Sequence, residues 1–177
     1  MTTRAEAPSG WVVRFAGLPA NAGTALDVAA GAGRHTRVLR DLGYRVTAVD
    51  VDVSQLQDLS GTEAVEVVEA DLEGGQPPPF TGQRFDLVVA TRYLHRPLLP
   101  ALVDAVGPGG ALVYETFAHG HERLGRPTNP DWLLRPGELL EAVRGELRVV
   151  AYEDLVVDDP RPSAVQRIAA VRDDGPP

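Results

Sequence analysis

Hydrophobic and polar positions along this chain fall into two periods, and the switches between them mark its elements. Residues 25–30 are an apolar run interrupted by one charge, Asp27, and predict a buried strand. Gly31 and Gly33 follow in a tight loop. Residues 34–43 place Val38, Leu39 and Leu42 at helical spacing, with Gly43 where a helix-ending glycine belongs. Residues 45–52 alternate into a second strand. Residues 65–72 alternate like a third, and residues 85–91 are apolar throughout their middle, as in a strand buried on both faces.

The remaining segments are read the same way. Residues 9–15 predict a short helix capped by Ser9, with Trp11, Val12 and Phe15 on one face. It either packs on the sheet or lids the glycine loop with Arg14 reaching an anionic group. Ser54 opens a short helix over residues 55–59, closed by Gly61. Residues 73–83 carry three prolines and three glycines and predict a loop. Pro97 starts a helix with Leu98, Leu99, Leu102, Val103 and Val106 on one face, and Gly107-Pro-Gly-Gly110 stops it. Residues 111–114 predict a fifth strand ending at Glu115-Thr-Phe117. Residues 118–135 read as a long loop, lid-like over a substrate. Residues 136–145 predict a helix with Leu139, Leu140 and Val143 inward. Residues 146–157 and 163–172 predict a closing antiparallel hairpin. No internal repeat or domain boundary is visible, so residues 1–177 are expected to be one domain, with residues 1–8 and 173–177 as loose tails.

Composition narrows the chemistry. With no cysteine, thiol nucleophiles, disulfides and thiolate zinc sites are excluded. All 17 basic residues are arginine, which removes Schiff-base lysines and the P-loop lysine. The net charge of −8 disfavours a broad nucleic-acid surface. Neither a membrane-length apolar run nor a signal-peptide core is present, and cytoplasmic residence is the expectation.

A strand, a glycine loop, a helix and a second strand form a nucleotide-binding unit, because the turn aims backbone N–H groups at a ligand. Ligands of parallel sheets bind at the carboxyl ends of the strands. Asp50, about 20 residues past the glycine loop, is placed to accept ribose hydroxyls. Asp71, ending the third strand, is placed to accept an exocyclic amino group of a base. Two cofactor classes fit this much. A nicotinamide enzyme wants a third glycine, which Gly31-Ala-Gly33-Arg-His-Thr36 lacks. Asp27 beside the loop suits an ammonium-bearing ligand and repels a pyrophosphate. S-adenosylmethionine has the ammonium and no phosphate.

Five segments in order resemble the motif series of class I S-adenosylmethionine-dependent methyltransferases: Leu26-Asp-Val-Ala-Ala-Gly-Ala-Gly-Arg34, Ala48-Val-Asp50, Glu69-Ala-Asp-Leu72, Phe85-Asp-Leu-Val-Val-Ala90 and Gly107-Pro-Gly-Gly-Ala-Leu-Val113. Ala29 departs from the glycine that many members carry there. The resemblance implies an α/β fold: a doubly wound, mostly parallel seven-stranded sheet of order 3-2-1-4-5-7-6, its last strand antiparallel, with helices on both faces. It implies that Asp27, Ala29, Gly31 and Gly33 hold the methionine moiety, Asp50 the ribose, and Asp71 and Leu72 the adenine. Ala90 and Thr91 would lie near the sulfonium, and S-adenosylhomocysteine would be the product. The alternatives are an NAD(P)-binding oxidoreductase and a non-catalytic subunit that binds S-adenosylmethionine.

The acceptor is less defined. The Asn/Asp-Pro-Pro-Tyr/Phe signature of many amino-group methylases of bases is absent after Ala90, and cytosine C5 chemistry lacks its cysteine. A small-molecule acceptor is therefore the expected partner. Thr91-Arg-Tyr-Leu-His-Arg-Pro97 and Tyr114-Glu-Thr-Phe117 are similar, more loosely, to small bacterial tellurite-resistance and thiopurine-type methyltransferases. Glu115 and His95 are the leading catalytic candidates, with His119 and His121 behind them. Arg92, His119, Arg123 and Arg126 are candidates for binding substrate. His119-x-His121 lacks a third ligand, so no metal is expected.

Overall fold

The computed structural model describes residues 6–158 and 160–175. Seven strands form one sheet: β1 (Thr24–Val28), β2 (Arg45–Asp50), β3 (Val65–Glu69), β4 (Phe85–Thr91), β5 (Val106–Phe117), β6 (Arg148–Val157) and β7 (Ser163–Val171). Their order is β3-β2-β1-β4-β5-β7-β6. β1 pairs in parallel with both β2 and β4, β2 with β3, and β4 with β5. β7 alone runs antiparallel, against β5 and β6. The chain leaves β1 towards β2 and β3, then returns to β4 on its other side. That reversal opens a crevice at the carboxyl end of β1.

Four helices flank the sheet among the described residues: α1 (Gly10–Phe15), α2 (Arg34–Asp41), α3 (Leu99–Asp104) and α4 (Glu138–Val143). Strand alternation sorts the core into two layers. Leu26, Val28, Val88, Ala90, Leu112 and Tyr114 face Leu102, Val103, Leu139 and Val143 of α3 and α4. Ala25, Val46, Leu87, Val89, Ala111 and Val113 face Trp11, Val12, Phe15 and Leu39 of α1 and α2. β4 is buried on both sides, as its unbroken apolar middle requires. Buried Gln166 of β7 accepts the Leu139 N–H at 2.7 Å and donates to the Arg135 carbonyl at 3.0 Å, fixing α4 to the sheet.

Local expectations meet the structure unevenly. Ser9 caps α1 by accepting the Trp11 N–H, and Trp11, Val12 and Phe15 are its buried face. α2 turns differently from its apolar spacing: His35, Thr36 and Leu39 face inward and Leu42 is half exposed. The helical reading weighed Val38 and Leu42 by hydropathy, whereas the inward polar pair finds hydrogen-bond partners. Ser54–Leu56 is only a single 3-10 turn. Gly107-Pro-Gly-Gly110 extends β5 backwards and does not end a helix; Val106 is already strand. A Cβ on Gly110 would stand 2.8 Å from the carbonyl oxygens of Phe85 and Gly107, so this crossing of backbones admits only glycine. Of the expected tails, residues 1–5, 176 and 177 lie outside the described residues.

Candidate active site

The loop after β1 uses the left-handed region three times, at Ala29 (φ 53°), Gly31 (φ 55°) and Gly33 (φ 74°). Gly33 is the N-cap of α2. Ala29 carries a Cβ in a region that costs an L-residue about 1 kcal/mol. Around Gly31 no atom lies within 4 Å of where a Cβ would stand, so its backbone borders open space. Asp50, at the end of β2, accepts the Gly31 N–H at 2.7 Å and the Asp52 N–H at 3.0 Å. The carboxylate thereby sets the height of the loop.

Asp27 is 1% exposed and accepts from Thr36 Oγ1 at 2.6 Å. Burial pushes its pKa up to about 6, against the opposing pull of the Thr36 hydrogen bonds. Its carboxylate is turned to Thr36 within the protein. Asp27 supports the loop from below and ties β1 to α2, because a buried carboxylate needs a donor and Thr36 supplies one.

The first turn of α2 brings in residues that hydropathy does not single out. His35 is buried; its Nε2 accepts the Ser9 N–H at 3.0 Å. That assignment leaves the proton on Nδ1, facing Thr91 Oγ1 at 3.3 Å. Burial, then the charges of Arg34 and Arg92, hold the His35 pKa down to about 4, so the ring is neutral at pH 7. Ser9 Oγ in turn donates to Glu115 Oε1 at 2.8 Å. Residues 6–8, expected in a loose tail, lie across this site instead. Glu6 pairs with Arg34 at 3.2 Å and with Arg92, and Arg34 donates to the Ala7 carbonyl at 3.2 Å.

Three cavities meet here. One of about 490 Å³ lies between residues 6–8 and the glycine loop, bordered by His35, Thr91 and Arg92. A second, of about 640 Å³, runs past Ser9, Glu115, Phe117 and Arg167. A third, of about 290 Å³, is walled by Glu73, Tyr93, Leu94, Phe117, Pro127 and Trp132. Arg92 lines all three and adopts φ 53°, a strained backbone for arginine. Tyr93 Oη is buried and has no partner among the described residues, and burial followed by the Glu73 charge raises its pKa.

The other sequence candidates separate clearly. Ala90 is fully buried and Thr91 nearly so. Asp71 is exposed and accepts the Glu73 N–H at 2.8 Å; Leu72 packs against the core. Glu115 has a structural purpose that the sequence did not disclose. It sits opposite Arg167 in register and accepts from Arg167 at 3.1 Å as well as from Ser9. His95 lines none of the three cavities, and its side chain caps nothing. His119 and Arg123 are exposed, and Arg126 borders an adjoining surface cleft on the other side of Pro127 and Trp132. His121 stacks on Phe117 with ring centroids 4.1 Å apart, and its Nε2 donates to the Arg126 carbonyl at 2.9 Å. Arg14 lies over the Phe15 ring and lines none of the three cavities. Of the four expected substrate-binding residues, only Arg92 reaches them. Glu6, Arg34, His35 and Glu73 were missed, and the adjacency of Arg34-His35 to the glycine loop was the available signal.

This fold and loop define a class. A methyltransferase domain model matches residues 26–114, and the chain belongs to that family. The nicotinamide alternative is thereby set aside. The chain is 34% identical over 101 residues to a malonyl-[acyl-carrier protein] O-methyltransferase of Pseudescherichia vulneris, covering 54% of this chain and 39% of that protein. It is 35% identical over 98 residues to a trans-aconitate 2-methyltransferase of Paracidovorax citrulli, covering 51% and 37%. The matched region thus spans under half the length of either curated relative. TehB from Haemophilus influenzae shares the fold with a TM-score of 0.74 at 19% identity, over 93% of this chain and 62% of that one. Among the described residues no helix is long and apolar enough to cross a membrane, and no three metal-ligating side chains cluster.

Proposed function

We propose that this protein transfers a methyl group from S-adenosylmethionine to a small-molecule acceptor seated in the cavity between Tyr93 and Trp132. The observation that carries this reading is the open cradle at Gly31, held by Asp50, in a cavity that shares Arg92 as a lining residue with the cavity between Tyr93 and Trp132. The residues suit the cofactor: a positive-φ glycine borders open space, and the half-exposed Asp50 carboxylate stands at the strand end. Asp50 would hold the ribose, Asp71 and Leu72 the adenine, and the backbone of Ala29, Gly31 and Gly33 the methionine moiety, with Asp27 acting through the loop. Ala90 and Thr91 form the floor beneath the reacting end. Bound cofactor supplies an electrophilic methyl group.

What the chain adds is positioning and exclusion of water, the main demands of an in-line displacement. Phe117, Pro127 and Trp132 wall the acceptor, with Tyr93 Oη beside Glu73 on the same cavity. Glu73 shares that cavity and is placed to take a proton from an acceptor that must lose one. Glu115 is committed to Ser9 and Arg167 and is not available for this task. Calorimetric titration with S-adenosylhomocysteine tests the cofactor half of the reading. A radiolabelled methyl-transfer screen over small acids, phenols and thiols tests the other half. Absence of binding by folded protein overturns it.

A further inference from the structure

Glu6 pairs with two arginines at once. Arg34 and Arg92 come from different elements, the first turn of α2 and the tip of β4, yet both point at one carboxylate. Arg34 is well covered, its side chain 16% exposed, so two like charges meet where solvent screens them incompletely. Such a pair calls for an anion between its members, and Glu6 supplies one. Its own hold on the site is light: the Glu6 side chain is 53% exposed. Beyond Glu6 and the Ala7 carbonyl, residues 6–8 make no polar side-chain contact among the described residues. Ser9 is fixed by His35 and Glu115, which makes it the pivot. The segment covers the cavity bordered by the glycine loop.

Resting on the methyl-transfer reading, we propose that Arg34 and Arg92 form a carboxylate seat whose resident occupant is the chain's own Glu6, and that a carboxylate-bearing ligand enters by displacing residues 6–8. The exchange replaces one carboxylate by another, so the arginine pair is never left without its anion. Two sources have this chemistry: the α-carboxylate of the cofactor and a carboxylate on the acceptor.

The test compares wild type with Glu6→Gln by calorimetry, using three probes. S-adenosylhomocysteine carries the α-carboxylate; 5′-methylthioadenosine keeps the nucleoside and thioether without it; tricarballylate, titrated into protein saturated with S-adenosylhomocysteine, reports an acceptor carboxylate. Glu6→Gln is expected to bind one of the two carboxylate probes about three- to tenfold tighter, the range set by losing two partly exposed ion pairs. 5′-Methylthioadenosine affinity stays unchanged. A gain for S-adenosylhomocysteine assigns the seat to the cofactor, and a gain for tricarballylate alone assigns it to the acceptor. Cleavage after Glu6 by a glutamyl endopeptidase should also accelerate when the seated ligand binds wild type. Equal affinities for every probe, or an equal gain for 5′-methylthioadenosine, overturns the proposal. If wild type binds neither nucleoside, the methyl-transfer reading falls while the tricarballylate comparison, run on free protein, still decides the seat.

Discussion

Asp50 Oδ2 receives the Gly31 N–H at 2.7 Å, so the carboxylate that ends β2 fixes the loop that follows β1. A charge-assisted hydrogen bond of this kind contributes roughly 1.5–3 kcal/mol. Asp50→Ala is expected to weaken S-adenosylhomocysteine binding by about 30-fold or more in calorimetry. Hydrogen exchange at the Gly31 amide should speed up in the same variant. Retained affinity would remove Asp50 from the ribose assignment.

Two substitutions in the same loop should move stability in opposite directions. Ala29 and Gly31 both sit at positive φ, near 53° and 55°. Ala29→Gly removes a left-handed Cβ and should stabilise by up to about 1 kcal/mol; Gly31→Ala introduces one and should cost about 1 kcal/mol. Urea denaturation measures both. Only Gly31→Ala also narrows the open space of the cradle, so only it should lower cofactor affinity.

Buried Asp27 and His35 give opposing pH dependences. The folded pKa of Asp27, about 6, lies above the ordinary value of 3.8 that it takes in the unfolded chain. Its ionised form therefore costs stability above pH 6, and that cost fades as pH falls towards 3.8. The folded pKa of His35, about 4, lies below 6.5, so its neutral form is favourable above pH 6.5 and that stability is lost as pH falls towards 4. Asp27→Asn should stabilise the protein at pH 7–8 by on the order of 1–3 kcal/mol, less the cost of any weaker Thr36 bond. Without the compensating carboxyl, it should also lose stability more steeply between pH 6 and 4. Equilibrium unfolding across pH 4.5–8 measures the crossing.

Glu115 offers a discrimination between structure and catalysis. Its carboxylate joins Ser9 of the α1 cap to Arg167 of β7, and Arg167 continues to Glu153 of β6. Glu115→Gln should lower stability by about 1–2 kcal/mol, the effect of weakening a partly buried charged network. Methyl transfer should stay within about threefold of wild type at temperatures where the variant is folded. A loss of a hundredfold or more would return Glu115 to the catalytic set.

At the acceptor cavity, Tyr93→Phe removes the buried hydroxyl beside Glu73. With an identified acceptor, its KM should rise about five- to tenfold, the value of one hydrogen bond, while S-adenosylhomocysteine affinity is unchanged. Glu73→Gln should lower kcat only for acceptors that lose a proton, which a pH–rate profile resolves.

The positions of the strands and of the cofactor loop were legible in the sequence because each depends on short-range pattern, whereas the strand order followed from the family resemblance. A run of buried apolar residues, a glycine at a tight turn and an acid at a strand end are all read within ten residues. The inward face of α2 was misread because Thr36 and His35 are buried by virtue of partners, Asp27 and Ser9, that spacing cannot supply. Gly107–Gly110 was misread because glycines end helices and also permit close backbone crossings, and only the approach of Phe85 tells the two apart. Glu115 looked free for the same reason: its partners, at positions 9 and 167, are remote in sequence. Residues 6–8 carry no periodic signal, and their place over the site follows from two arginines far along the chain.

Arg92 borders all three cavities, whereas Phe117 and Trp132 do not touch the one beneath the glycine loop. On the proposed reading, replacing Arg92 is expected to perturb cofactor and acceptor binding together. Divergence towards a new acceptor is open through Phe117, Pro127 and Trp132, whose side chains can change size while the cofactor's surroundings stay intact. The strained backbone at Arg92 marks the point where the three cavities meet.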